Sequence, residues 1–132
     1  MAHPYQHAVR SSRLFGGVPE DYLAIHAWFD ESKAHFADLR HRALRHHSEG
    51  IFLAEATFGV TVTNSDGKVV PVRTVGEQHV LDDLGWIPSV KDWLQHIQFQ
   101  PWMGRTPFRP SSDQAGAEKA EEAGEASRTQ PA

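Results

Sequence analysis

The sequence predicts a mainly helical α+β fold, with helices packed around one long central helix and a single β-hairpin. Three observations predict it. Residues 30–58, DESKAHFADLRHRALRHHSEGIFLAEATF, form the longest stretch with helical spacing and contain no proline. Residues 60–63, VTVT, are β-branched throughout and lead through Asn64-Ser65-Asp66-Gly67 into KVVPVR, the pattern of a hairpin. The flanking segments carry apolar residues at helical intervals behind recognisable start signals.

Taken in order, residues 3–15 predict a short helix with Pro4 in its first turn, ended by Gly16-Gly17. Pro19 opens a second helix, and Glu20 and Asp21 suit the positive end of its dipole. Along it Tyr22, His26 and Phe29 fall at i, i+4 and i+7, the spacing of one buried face. Asp30 or Ser32 ends this helix and caps the next. The central helix is expected from residue 31 to at least Glu49. Gly50, which costs about 1 kcal/mol inside a helix, marks a break, a kink or a close approach. Helical spacing resumes at Ile51–Phe58, and Gly59 terminates it. In the hairpin, Pro71 lacks a donor and so belongs on an exposed strand edge. Thr74 and Glu77 have capping-box spacing for a helix ending near Leu84-Gly85, and Ser89 and Asp92 repeat it for a helix from Val90 to Ile97. Residues 1–105 are read as one compact domain. Residues 106–132, rich in Ala, Glu, Ser, Pro and Gly, are read as a disordered tail.

Composition narrows the function. A length of 132 residues suits one hydrophobic core. The net charge of −4 argues against a nucleic-acid binder. With no cysteine, there is no disulfide, no thiolate metal site and no Cys nucleophile, so any metal must be held by His, Asp and Glu. No segment resembles a signal peptide or a membrane span, which makes a cytoplasmic protein the simplest expectation.

Histidine is the unusual feature, with nine in the chain and four of them between residues 30 and 58. On a helical wheel, Lys33, Arg40 and His47 fall within or beside the apolar stripe of Phe36, Leu39, Ala43, Ala54 and Phe58. Asp38, Arg42, His46 and Glu49 fall on the opposite, solvated face. His26 lies between Tyr22 and Phe29, and Glu77 lies near Val80, Leu81 and Leu84. Charged groups on buried faces must be paired, neutralised or bound to a ligand. A buried ion pair between Arg40 and Glu77 answers that requirement without any function. His3 and His7, at i and i+4, are a weaker metal pair near the terminus.

The strings DYLAIHAWFDESKAHFADLRHRALRHHSEGIF, VTNSDGKVVPVR and GEQHVLDDLGWIPS, together with HPYQHA and PWMG, resemble a family of small bacterial and phage proteins classed as a domain of unknown function. The resemblance covers residues 1–104. It implies one compact domain over that range and no particular activity.

The expected function is a cytoplasmic domain that binds a metal ion or a small anionic ligand, in one form a metal-dependent hydrolase. His26, His47 and Glu77 are the expected ligands of a divalent metal (zinc, manganese or iron). His47 and Glu77 are also the expected proton-transfer groups, and Lys33 and Arg40 would neutralise an anionic substrate. The competing expectation is a non-catalytic accessory protein of phage or plasmid type. Its partner would be a host protein or a second copy of the chain, and its buried His, Arg and Glu residues would be structural.

Overall fold

A computed structural model describes residues 3–104; the expected tail, 106–132, lies outside the described residues. The chain divides into two units, Met1–His96 and Ile97–Ala132. In the second, the described residues form one 3-10 turn, Pro101–Met103. Among the described residues no helix is long and apolar enough to cross a membrane.

The first unit is helical with one hairpin, as the sequence predicts. Helix α1 spans Pro4–Phe15 with the proline at its start, and the His3 side chain accepts from the Tyr5 amide to cap it. A 3-10 turn, Pro19–Asp21, leads into α2, Leu23–Asp30. Strands β1, Thr61–Thr63, and β2, Val69–Pro71, pair antiparallel with Val62 opposite Val70. Helix α4, Val72–Leu84, follows β2 directly and stops at Gly85, whose φ of 80° lies in the left-handed region. The expected Thr74–Glu77 cap is therefore internal to the helix. Helix α5 spans Val90–Leu94 and has the expected Ser89–Asp92 capping box.

The long central helix is not what forms. Residues 31–58 divide into two 3-10 turns, Glu31–Ala34 and Leu39–Leu44, and a helix α3 over Ser48–Phe58. Side chains that bond to nearby backbone compete with the helix here. Asp38 accepts from the Arg40 amide at 2.9 Å and opens the second turn. His47 Nδ1 accepts from the Gly50 amide at 2.9 Å and caps α3. Gly50 marks a close approach: a Cβ there would run into the Arg45 carbonyl oxygen.

In the middle of the unit are α2 and α4, which pack on each other and on both α1 and α3. They meet closely at Gly76, where a Cβ would lie 3.1 Å from the Phe29 ring. Tyr22, Ile25, Phe29, Ile51, Val72, Val75 and Val80 build the core. The hairpin turn is tied on by Asn64, whose side-chain amide donates to the Tyr22 hydroxyl at 3.1 Å and the Phe15 carbonyl at 3.2 Å.

Candidate metal centre

One end of this core is polar. Three helices each turn an i, i+4 pair of polar groups to the same point: His7 and Ser11 from α1, His26 and Asp30 from α2, His79 and Asp83 from α4. His46, from the segment joining the second 3-10 turn to α3, closes the set. The side chains of His26, His46 and His79 are fully buried, and Asp30 is 7% exposed.

Four ligand-capable atoms converge, all within 4.8 Å of one another: one each from Asp30, His46, His79 and Asp83. His46 Nε2 lies 3.0 Å from Asp83 Oδ2 and 3.7 Å from Asp30 Oδ1. His79 Nε2 lies 3.3 Å from Asp83 Oδ2 and 3.5 Å from Asp30 Oδ1. Among the described residues, neither Asp30 oxygen has a hydrogen-bond partner, nor does His79 Nε2. Both carboxylates stand at the ends of helices, Asp30 the last residue of α2 and Asp83 the penultimate residue of α4. Helix C-termini carry partial negative charge, so two carboxylates there favour positive charge beside them.

A hydrogen-bond chain behind the centre determines which nitrogen of His79 faces it. The Gln78 amide nitrogen donates to the His7 carbonyl at 3.0 Å and to Asp82 Oδ2 at 2.9 Å, both pure acceptors. Gln78 Oε1 therefore faces the Ser11 hydroxyl, which donates its proton across 2.5 Å. With that proton used, His26 Nε2 must donate to Ser11 Oγ, 2.7 Å away. His26 is neutral: burial above all pushes it from 6.5 to about 2. Its Nδ1 is then an acceptor, and the proton of that 2.9 Å contact belongs to His79 Nδ1. His79 so held turns its Nε2 toward the two carboxylates.

The neighbouring charges respond to this centre. Burial pushes Asp83 up, but the imidazoles of His46, His7 and His79 beside it outweigh burial and hold the carboxyl well below the usual range. Burial also lowers His7, and Asp83 and Asp82 more than reverse that, leaving it raised. His7 bridges them, Nδ1 to Asp82 at 3.1 Å and Nε2 to Asp83 at 3.2 Å. Burial lowers His46 despite its bond to Asp83. His7, His26 and His79 also bring nitrogens within 4.8 Å of one another. Both nitrogens of His26 are already committed to hydrogen bonds, so that trio is a wall of the centre.

The residues singled out from sequence are placed differently. His26 belongs to this polar cluster, as a supporting group. His47 is buried, but both of its nitrogens bond backbone: Nδ1 accepts from Gly50 and Nε2 lies 3.1 Å from the Leu44 carbonyl. Glu77 is half-buried with no hydrogen bond or ion pair among the described residues. His26, His47 and Glu77 do not form a ligand group there. Arg40 is exposed and pairs with Asp38 at 2.6 Å, so no Arg40–Glu77 pair forms. Lys33 is half-buried and its charge helps hold the Asp30 carboxyl down. Of the face expected to be solvated, Arg42 and His46 are buried. The wheel assumed a continuous α-helix, and the 3-10 turns break its phase. Asp30, His46, His79 and Asp83 were missed, although HxxxD occurs twice, at His26–Asp30 and His79–Asp83, and puts both groups of each pair on one helical face.

The chain belongs to the family described as Domain of unknown function (DUF6915), which it matches over residues 2–103. No curated protein and no solved structure matches it. The resemblance read from the sequence is borne out to that extent.

Proposed function

We propose that this member of the DUF6915 family is a metal-binding protein that holds one divalent cation among Asp30, His46, His79 and Asp83. Spacing is the observation that carries the reading. The four nitrogen–oxygen separations run from 3.0 to 3.7 Å. A tetrahedron with bonds of about 2.0–2.1 Å has edges of about 3.3–3.4 Å. The same separations are long for N–H···O bonds, apart from the contact between His46 and Asp83. Two imidazoles and two carboxylates in a tetrahedral arrangement suit zinc best; manganese and iron(II) accept these donors but favour more ligands. The Gln78–Ser11–His26 chain supplies what a ligand histidine needs behind it, a partner that fixes the tautomer. A cation there would join α2, α4 and the segment before α3.

A second reading rests on the raised proton affinity of His7 between Asp82 and Asp83. In it the cluster holds shared protons, and its role is structural. Metal analysis separates the two. Purified protein is stripped with a chelator, titrated with zinc, and compared with His79→Ala, Asp30→Asn and His47→Ala. Equimolar zinc is expected in the wild type and in His47→Ala, with at least tenfold weaker binding in the other two. No zinc binding by folded wild-type protein ends the metal reading, as does wild-type affinity in both ligand variants.

A further inference from the structure

Arg42 is the group near the centre that nothing yet accounts for. It is 7% exposed, and among the described residues its Nε is buried without a partner and its nearest carboxylate oxygen is Asp83 Oδ1 at 3.4 Å from Nη2. A guanidinium has five N–H donors in a planar fork, and a buried one is ordinarily matched by a carboxylate or another oxyanion at shorter range. Asp83 does not serve it fully. One of its oxygens belongs to the metal set, and the other is shared with His7 at 3.2 Å.

The charge count leads the same way. A bound divalent cation is balanced by Asp30 and Asp83, which leaves the Arg42 charge unanswered at the same place. Nearby carboxylates are engaged elsewhere: Asp82 binds Arg10 at 3.0 Å and His7 at 3.1 Å, and Glu31 binds Arg45 at 2.9 Å. Lys33 adds a further positive charge beside Asp30. A buried excess of positive charge in a low dielectric is costly until an anion joins it.

We infer that the metal-loaded centre binds a phosphate group, held by the Arg42 guanidinium and by the cation. This rests on the metal reading above. A tetrahedral oxyanion suits the position because it can give two oxygens to the guanidinium fork and a third to the metal as an added ligand. A carboxylate has only two oxygens and would have to share one of them between the guanidinium and the metal. Lys33 shares the remaining charge through space. The ligand is free phosphate or a phosphomonoester, and the two share the group that is recognised.

The test uses the full chain, loaded with zinc and assayed for zinc content, and titrated calorimetrically with inorganic phosphate, phenyl phosphate and acetate. Phosphate is expected to bind the zinc-loaded protein at least tenfold more tightly than the stripped protein and more tightly than acetate. A phosphomonoester site is indicated if phenyl phosphate binds as well as phosphate or better, a free-phosphate site if it does not bind. Arg42→Lys and Arg42→Gln are expected to keep their zinc and to lose at least tenfold in phosphate affinity. Full zinc occupancy without phosphate binding overturns this proposal alone, as does unchanged affinity in folded Arg42→Lys. Failure of zinc to bind overturns the metal centre and this site with it.

Discussion

At the scale of residues, buried histidines and carboxylates tie stability to pH. In metal-free protein His26 is depressed from 6.5 to about 2, and His46 is also lowered. For such groups the unfolded chain takes up protons that the folded chain refuses. Their contribution is present above about pH 6.5 and is lost as pH falls, at about 1.4 kcal/mol per pH unit for each proton. Asp83 acts in the same direction at lower pH, where the unfolded carboxylate protonates first. His7 has the opposite sign, because its raised affinity stabilises the fold below its unfolded value and is lost as pH rises through its folded one. The His7 contribution is already nearly complete at pH 6.5, so the two depressed histidines set the slope below it, and the urea midpoint of chelated protein is expected to fall from pH 6.5 to 4.5. His26→Gln should make that decline shallower, and His7→Gln should leave its slope nearly unchanged while weakening the protein throughout that range. A flat profile in the wild type would show that the cluster is solvated in solution.

At the scale of elements, the decisive event is the breaking of residues 31–58 into turns. His47 is spent on that task. Replacing it by Ala removes the α3 cap, at a cost of about 1 kcal/mol, and leaves zinc affinity unchanged. Gly50 admits the Arg45 carbonyl where a side chain would stand. Gly50→Ala is expected to cost about 3 kcal/mol or more, since the obstruction is backbone and cannot rotate away. Denaturant unfolding monitored by circular dichroism measures both. A Gly50→Ala protein as stable as the wild type would contradict the close approach of α3 to the preceding turn. Because 3-10 geometry advances about 120° per residue, Arg42 turns inward and Arg40 turns outward, while His46 turns inward from the irregular segment that follows. The same break that hides the ligands from a helical wheel delivers His46 to the centre.

At the scale of the whole molecule, a cation at the proposed centre would join segments that are distant in sequence, Asp30, His46 and the His79–Asp83 pair. Binding to the folded state alone therefore adds directly to global stability. Free zinc at a hundred times its dissociation constant should stabilise the protein by about 2.7 kcal/mol, and a chelator should reverse this. The Asp30→Asn protein should show neither effect in thermal scans. A zinc-dependent increase that survives in Asp30→Asn and His79→Ala would place the metal elsewhere.

Elements whose signals are local are legible in the sequence alone. Pro4 and Gly59 bound helices, Tyr22, His26 and Phe29 form one buried face, and the Asn64–Gly67 turn closes the hairpin. The sequence also carried the excess of histidine and the two HxxxD pairs. Only the tertiary structure decided which of those groups meet. His46 reaches the centre through irregular backbone with no period to follow, and Asp30 and Asp83 come together because α2 and α4 cross at Gly76. The physical reason is that a helix or turn is specified by neighbours a few residues away. A charged cluster is specified by the long-range packing that removes its water and leaves each group to be answered by whatever stands opposite.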